Sequence, residues 1–463
     1  MTFVRGMRGV VRRLGSNATL LSVVSLVVGF VALVVVSLRG ASMRVTLGTV
    51  AVCVTLCLRT MHLEPVDDRW ATSLATPEWV AEAVSVAVVC VSVGLSLTVF
   101  IAQMWSLLTH QSTSFVHLIE NWDAGWYASI VRSGYDHHAI RSGRLAGQAN
   151  WAFFPLYPLA VWCVATALGL SPFAAGTLTS LLCLTVGCTF AYRYLLETRS
   201  RRVALLGVGL LAVGPYSFYN YTLYTESLFI CLTAVGFWAL QSRRYLVAAV
   251  AGALLSATRG VGVLFGVAMV AHLVVETDAF DAVRNDWPPG VRSDTARAAW
   301  ETLTDRRVMA VALIPLGTLA YMTYLWWHIG RPLAFLTVQS AWGRSFQNPV
   351  VRLVGGLLST NVWDTFLAAT GTLALGVAVD LIRRGRPVEG TFALALLLVP
   401  IASGLNSLPR YAFGTTVLVF AAADWLSRSE LSRTVGFGAL TAANVGLLML
   451  WYGGHHIVNY SRI

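Results

Sequence analysis

The 463-residue sequence contains no lysine, and all 33 of its strongly basic residues are arginine. A P-loop requires a lysine on the nucleotide phosphates and Schiff-base catalysis requires a lysine amine, so both chemistries are excluded. Charged residues are also scarce. They make up 12% of the sequence, whereas soluble proteins carry about 25%. With 56% apolar residues and a mean hydropathy of +0.67, the chain is predicted to be an all-α polytopic membrane protein.

Features typical of metal, disulfide or nucleic-acid proteins are sparse. The seven cysteines lie inside apolar runs, which favours small packing residues over a disulfide framework or a zinc site. The pairs His137-His138 and His455-His456 lack a third ligand at a usual spacing, and there is no Asp-x-Asp motif. We therefore expect no metal and no other cofactor. The net charge of +11 is interpreted as the arginine excess that fixes membrane topology, with no nucleic-acid partner.

Apolar runs and arginine clusters predict about 13 transmembrane helices in the plasma membrane, with the N-terminus cytoplasmic and the C-terminus outside. The run 245–275 is interrupted at Thr258-Arg259-Gly260 and is predicted to form two short helices that meet there, because an arginine at mid-membrane is costly. The predicted spans are 17–38, 45–62, 80–108, 172–194, 203–220, 223–241, the two halves of 245–275, 308–328, 362–382, 389–404, 411–427 and 434–453.

This topology divides the chain into an N-terminal transmembrane hairpin (1–79) and a membrane core (80–463). The core contains an outer loop (109–152), an interfacial helix (153–169) too short to cross a core of ~30 Å, and a cytoplasmic connector (276–307). Unusual polar and aromatic residues from five segments then meet the outer face, which is typical of a site at a membrane–water interface. These segments are 110–152, 215–226, the turn at residue 259, 328–350 and 405–411.

Few carboxylates are available on the predicted outer face, namely Glu120, Asp123, Asp136, Glu226 and Asp364. Asp123 follows one tryptophan and precedes another, which favours equally a partly desolvated base and the N-cap of an interfacial helix. Glu226 begins a helix, where an acidic residue commonly compensates the helix dipole.

Arginines and aromatic residues accompany these carboxylates. Arg259 and Arg410 each lie at the outer end of a helix pair, where an arginine either extends to lipid headgroups or binds a phosphate. His328, Trp342 and Arg344 belong to the most aromatic outer loop. An aromatic belt at the membrane surface does not readily account for the last two, which lie beyond the predicted membrane edge.

One base and several cations suit the transfer of a sugar from a lipid phosphate to an acceptor hydroxyl. The phosphate is already a good leaving group, so a single base is sufficient, whereas glycosidases use two carboxyl groups. Arginines stabilise the charge that builds on the departing phosphate. An outer site has no access to cytoplasmic nucleotide sugars, which favours a lipid-linked donor.

A series of motifs between about residues 80 and 427 resembles the PIG-V type mannosyltransferases. That family includes the second mannosyltransferase of glycosylphosphatidylinositol assembly and many prokaryotic relatives. Each motif is weak alone, but their ordered combination is specific. They are Asn121-Trp122-Asp123-Ala124-Gly125-Trp126-Tyr127, Phe153-Phe154-Pro155-Leu156-Tyr157-Pro158, Gly214-Pro215-Tyr216-Ser217, Tyr224-Thr225-Glu226-Ser227, Ala257-Thr258-Arg259-Gly260, Gly330-Arg331-Pro332-Leu333, Trp342-Gly343-Arg344 and Pro409-Arg410-Tyr411.

The resemblance implies a GT-C glycosyltransferase fold with interfacial helices in the first large outer loop. It also implies a polyprenyl-phosphate-mannose donor, inversion at the anomeric carbon, and Asp123 as the general base. The residues assigned to substrate binding on this basis are Trp122, Trp126, Tyr127, Tyr224, Glu226, Arg259, His328, Trp342, Arg344, Arg410 and Tyr411. Two features depart from the family pattern, namely the additional hairpin 1–79 and Arg331, where relatives often have an acidic residue.

Three alternatives stay open from the sequence. A GT-C enzyme could use another lipid-linked sugar, such as glucose or a pentose. A transporter would show internal repeats between its halves, and no convincing repeat is present. A non-catalytic scaffold of a glycan pathway would carry the same surface residues without turnover. The expected acceptors are a glycolipid, a cell-wall polysaccharide or a protein.

Overall fold

A computed structural model describes residues 77–109, 121–143, 145–276 and 306–453 of the chain. Helices are the only regular secondary structure in these ranges. The predicted hairpin 1–79 and connector 276–307 lie almost entirely outside the described residues, as do residues 110–120 of the predicted outer loop.

The described residues form seventeen α-helices, joined in several places by short 3₁₀ turns. In chain order they are α1 (Pro77–Leu108), α2 (Ala124–Ser133), α3 (Leu156–Leu168), α4 (Pro172–Thr198), α5 (Arg201–Val213), α6 (Glu226–Gln241), α7 (Tyr245–Thr258), α8 (Phe265–Glu276), α9 (Arg306–Val311), α10 (Leu316–Ile329), α11 (Ala334–Thr337), α12 (Pro349–Leu357), α13 (Val362–Arg383), α14 (Pro387–Ser403), α15 (Leu408–Gly414), α16 (Thr416–Leu426) and α17 (Phe437–Tyr452).

Five helical stretches in the described ranges are long and apolar enough to cross a membrane. They are Trp79–Leu108, Pro172–Thr198, Met309–Ile329, Val362–Arg383 and Ser432–Tyr452. Six further apolar helices are shorter, among them α3 with 13 residues. At 1.5 Å per residue α3 is about 20 Å long, which is less than the hydrocarbon core of a bilayer. The count of thirteen crossings stays a prediction, since two of them fall in the hairpin outside the described residues.

The predicted break in the run 245–275 is confirmed. Helix α7 ends at Thr258, Arg259 is extended, and a 3₁₀ turn at Gly260–Leu264 leads into α8. A Cβ at Gly262 would lie 2.0 Å from the carbonyl oxygen of Leu255, so only glycine lets the chain fold back so tightly on α7. The break places Arg259 at a helix end instead of in the middle of a span.

The predicted span 203–220 is wrong in its extent. Helix α5 ends at Val213, and the chain continues through an irregular segment before α6 begins at Glu226. Pro215 removes a backbone donor and disfavours helical geometry at the preceding residue, and Tyr216 adopts a left-handed conformation with φ of 63°. The segment is nevertheless buried, since its aromatic side chains pack into the core.

Helices α4 and α6 make the most extensive helix–helix contact within the described residues and run in the same direction. Gly176 lies against Leu223 just before α6, and Gly187 lies against the backbone of Cys231 within it. Small residues at such crossings let helix backbones approach closely. The segments that precede α4 and α6 therefore share one end of the bundle, and this end carries the candidate site.

Candidate functional site

Asp123 lies at the N-terminal end of α2, but its carboxylate faces away from the helix. No hydrogen bond from its side chain caps α2 among the residues that the structure describes. Instead, Nη1 of Arg410 donates to Oδ2 of Asp123 over 3.5 Å. The N-cap interpretation of this carboxylate is therefore wrong, and the two residues that it joins are 287 positions apart in the sequence.

Glu226, the first residue of α6, binds two arginines with one carboxylate oxygen. Its Oε1 lies 2.5 Å from Nη2 of Arg259 and 3.0 Å from Nε of Arg410. The Glu226 side chain is 7% exposed, whereas that of Asp123 is 34% exposed. Of the two carboxylates, Asp123 is thus the more exposed to solvent, while Glu226 supplies a buried countercharge.

Arg259 is fixed on several sides at the break between α7 and α8. Its Nε donates to Oγ1 of Thr225 over 2.6 Å, and its guanidinium lies 5.7 Å from the ring centroids of both Phe229 and Tyr411. Burial alone lowers the pKa of Arg259, but the carboxylate of Glu226 outweighs this effect and raises the pKa above its ordinary value. The guanidinium therefore stays charged.

Arg410, in the short helix α15, links the two carboxylates. Its guanidinium also lies 5.2 Å and 5.7 Å from the rings of Tyr219 and Tyr224, at cation–π distances. Asp123, Glu226, Arg259 and Arg410 thus form one continuous group, here called the charge cluster, in which two negative and two positive charges balance.

Three aromatic side chains form a wall on the α2 side of the charge cluster. The rings of Trp126 and Phe153 are stacked, with centroids 6.1 Å apart, and Trp342 meets them edge-on at 5.9 Å and 6.3 Å. All three side chains are partly exposed. We refer to Trp126, Phe153 and Trp342 as the aromatic wall.

Tyr127 and Tyr224 lie beneath this surface. The ring of Tyr127 packs against Phe153 and Tyr157 at centroid distances of 5.0 Å and 5.5 Å. Burial raises the pKa of the Tyr127 phenol well above its ordinary value, so Tyr127 stays protonated and is a poor base. The hydroxyl of Tyr224 bonds two backbone groups of the loop that carries Asp123.

The structure places the other predicted binding residues around these groups. Trp122 is 38% exposed and lies next to Asp123, and Tyr411 packs on Arg259. Arg344 is exposed and donates to Gln339 over 2.9 Å and to Oγ of Ser407, just before α15, over 3.3 Å.

His328 belongs to a different cluster. Its Nε2 lies 3.0 Å from the carbonyl oxygen of Tyr135, and its ring lies 4.1 Å from that of His137. It packs with Tyr324 at 5.3 Å. Within the described ranges no group of three or more His, Cys, Asp or Glu side chains is placed to hold a metal ion.

Two of the other carboxylates predicted for the outer face have structural partners. Oδ2 of Asp136 accepts from the backbone N–H of Asn150 over 3.0 Å, while Oδ1 of Asn150 accepts from the N–H of Asp136 over 2.9 Å. Asp364, near the start of α13, accepts from the hydroxyl of Ser359 over 3.2 Å. Glu120 lies outside the described residues.

Four residues of the site were missed by the sequence reasoning. Phe153 and Thr225 lie inside motifs that pointed to the region, so that signal was available. Tyr219 lies inside the segment 215–226, which the sequence also indicated, whereas Trp451 gave no signal, because an aromatic residue in an apolar run is ordinary. Trp451, in the last helix, packs at 5.9 Å on Tyr224, and its backbone carbonyl accepts from the side chain of Asn121 over 3.3 Å.

Comparison with known proteins says little about the function of this chain. No protein-family model matches the sequence, and a comparison with curated proteins finds no match. Among solved structures, the chain is similar to an oligosaccharyltransferase of Archaeoglobus fulgidus in complex with zinc and sulfate, with a TM-score of 0.37 and 11% identity over 75% of this chain and 49% of that chain. The oligosaccharyltransferase of the same organism tethered with an acceptor peptide gives a TM-score of 0.35 and 10% identity over 80% and 56%.

The chain thus spans about half the length of these two structures. Likenesses this distant do not define a fold family. The charge cluster and the aromatic wall are therefore the features that bear on function.

Proposed function

We propose that the chain is a membrane glycosyltransferase of the GT-C type. In this proposal it moves mannose from a polyprenyl-phosphate-mannose donor to an acceptor hydroxyl on the extracytoplasmic face. The observation that carries the proposal is the charge cluster, in which the exposed carboxylate of Asp123 lies 3.5 Å from a guanidinium that a buried carboxylate also binds. The proposed base, Asp123, thereby lies beside the two arginines proposed to bind the phosphate, Arg259 and Arg410.

The proposed reaction needs one base. The acceptor oxygen attacks the anomeric carbon from the face opposite the phosphate, and its proton passes to the carboxylate of Asp123. The bond between the anomeric carbon and the phosphate oxygen breaks, and its electron pair stays on the phosphate. Because the phosphate is a good leaving group, no second carboxyl group has to protonate it. The product has the inverted anomeric configuration.

Arg259 and Arg410 are the proposed partners of the donor phosphate. A guanidinium presents several N–H groups in one plane, which suits the oxygens of a phosphate. Charge grows on the phosphate as the sugar leaves, so cations that are already in place stabilise the transition state more than the ground state. Glu226 keeps the two guanidinium groups in position before the donor arrives.

The aromatic wall is the proposed contact for a sugar ring. Trp126, Phe153 and Trp342 present partly exposed aromatic surface, and the apolar face of a sugar packs on such rings. Beside the site, apolar helices offer surfaces for the polyprenyl chain, which explains why such an enzyme is built into a membrane. The plasma-membrane location and the outward orientation are proposed from the arginine distribution.

The test measures transfer by membranes that contain the protein against membranes that lack it. Both are incubated with radiolabelled polyprenyl-phosphate-mannose, -glucose or -pentose, and label is followed into lipid, polysaccharide and protein fractions. We expect protein-dependent incorporation from the mannose donor, and the labelled fraction identifies the acceptor class. Incorporation from another donor alone would overturn the mannose assignment, and no incorporation from any donor would favour a scaffold or a transporter.

A further inference from the structure

The residue before Asp123 has an unusual backbone conformation. Trp122 has a φ of 58°, in the left-handed region that glycine adopts freely and a bulky side chain rarely does. Such residues persist only where the surroundings hold them, and they concentrate at functional sites. The structure must therefore contain a group that fixes this turn.

The hydroxyl of Tyr224 is placed to fix it. It accepts a hydrogen bond from the backbone N–H of Asp123 over 3.0 Å and donates one to the backbone carbonyl of Asn121 over 2.9 Å. These two backbone groups flank Trp122 on either side. One phenol therefore bridges the backbone on both sides of the strained residue, and the Asn121 carbonyl also accepts from the N–H of Ala124 over 3.3 Å.

Tyr224 is itself held rigidly. It is 1% exposed, and its ring packs against Tyr219 at 4.9 Å, Trp451 at 5.9 Å and Tyr127 at 6.3 Å. The guanidinium of Arg410 lies 5.7 Å from the centroid of the same ring. A single side chain thus contacts both the backbone that carries Asp123 and the arginine that its carboxylate faces.

We propose that Tyr224 is a positioning residue that holds Trp122 in the left-handed conformation, so that the carboxylate of Asp123 points at Arg410 instead of capping α2. The inference rests on the proposed role of Asp123 as the base. In the absence of the bridge, Trp122 relaxes to negative φ and the following carboxylate turns away from the reacting groups. A misplacement of about 1 Å at a reacting group lowers the rate by about a hundredfold.

The test compares Tyr224→Phe in three backgrounds that differ only at residue 122. Tyr224→Phe removes the hydroxyl and keeps the ring and its packing. Trp122→Gly removes both the indole and the strain, whereas Trp122→Ala removes the indole and keeps a Cβ that disfavours positive φ. Alanine at this position is therefore the matched control for the loss of the tryptophan side chain.

With Trp or Ala at residue 122, we expect Tyr224→Phe to lower kcat by about 10- to 100-fold while KM for donor and acceptor changes by less than about twofold. With Gly at residue 122, we expect the same change to lower kcat by less than about threefold, because glycine adopts the turn without the bridge. An equal loss of kcat in all three backgrounds would overturn the proposal, and so would a loss confined to KM or no loss at all.

Hydrogen exchange gives a readout that does not depend on turnover. In the wild-type protein, the amide of Asp123 is expected to exchange at least about tenfold more slowly than exposed loop amides, and Tyr224→Phe removes this protection. An unprotected amide in the wild type overturns the bridge even if Tyr224→Phe does not fold. A different result separates the two proposals. If Asp123→Asn keeps full transfer activity while the amide of residue 123 is protected in the wild type, Asp123 is not the base, but the hydrogen bonds from Tyr224 to the backbone beside Trp122 are supported.

Discussion

Glu226 binds Arg410 through a 3.0 Å contact between a carboxylate oxygen and Nε, and both side chains are buried, at 7% and 14% exposure. The other end of the same guanidinium meets Asp123, whose side chain is far more exposed. Arg410 therefore joins a buried carboxylate to one that is partly exposed to solvent. This arrangement separates the countercharge that holds the arginines from the group proposed to take the proton.

The first prediction concerns the buried countercharge. Glu226→Gln leaves Arg259 and Arg410 buried beside each other without their shared anion, and removing one partner of a buried pair costs about 3 kcal/mol. We expect a lower Tm in detergent and weaker donor binding. The double variant Glu226→Gln/Arg259→Gln restores charge balance and is expected to recover most of the Tm but not donor binding. If the double variant is no more stable than Glu226→Gln, the countercharge role is contradicted.

The second prediction concerns the proposed phosphate contact. Arg410→Ala is expected to weaken binding of a polyprenyl phosphate by about tenfold or more, because a charge-assisted contact to a buried anion is lost. Binding of the acceptor is expected to change by less than about twofold. Arg141→Ala, at an exposed arginine in the loop that follows α2, is the control and should leave both affinities unchanged. Equal donor affinity in the two variants would assign Arg410 to a purely structural role.

The third prediction concerns the aromatic wall. Trp342→Ala removes the ring that meets Trp126 and Phe153 edge-on. We expect KM for the donor or the acceptor to rise at least about fivefold, whereas Trp342→Phe, which keeps an aromatic face, stays within about twofold of wild type. Initial rates at varied donor and acceptor concentrations identify the affected substrate. Trp327 is 80% exposed, and Trp327→Ala is the control; an equal effect there would show that the wall has no special role.

The fourth prediction concerns the opposite end of the bundle. Arg199, which follows α4, binds Glu389 at 2.6 Å and Asp424 at 2.8 Å, and its side chain is 2% exposed. Arg199→Met leaves Asp424 without this cation and leaves Glu389 with the longer 3.7 Å contact to Arg386, and we expect a loss of about 3 kcal/mol in stability. The nearby pair of Arg201 with Glu82 has an arginine that is 50% exposed, so Arg201→Met should cost less than about 1 kcal/mol.

Thermal unfolding of the two variants in the same detergent compares these costs directly. A Tm for Arg199→Met that equals that of Arg201→Met would show that the buried network does not anchor α4.

Local chemistry made parts of this structure predictable. The break at Arg259 followed from the cost of an arginine in a long apolar run, and the helix ends there as expected. The span 203–220 was misjudged because hydropathy averages over Pro215, which ends α5 early. At Pro215 the missing backbone donor and the restricted geometry of proline end the helix, although the surrounding residues are apolar.

The site itself depends on contacts that no local pattern encodes. Sequence motifs identified Asp123 and Arg410 separately, but their contact joins the start of α2 to the short helix α15 and is set by the packing of the whole bundle. The hydrogen bonds from Tyr224 to the backbone beside Trp122 likewise join residues that are distant in the sequence. Residue type predicted which side chains are chemically capable, and tertiary packing decided which of them meet.

The most direct test of the account is the rate of mannose transfer from radiolabelled polyprenyl-phosphate-mannose by Asp123→Asn, measured beside wild type and Asp364→Asn. Asp364→Asn makes the same chemical change at a carboxylate whose hydrogen-bond partner in the structure is Ser359. We expect Asp123→Asn to lose at least about a hundredfold in rate, in line with the loss of a general base, with donor binding and Tm close to wild type, and Asp364→Asn to retain its rate. Transfer by Asp123→Asn at the wild-type rate would contradict the account.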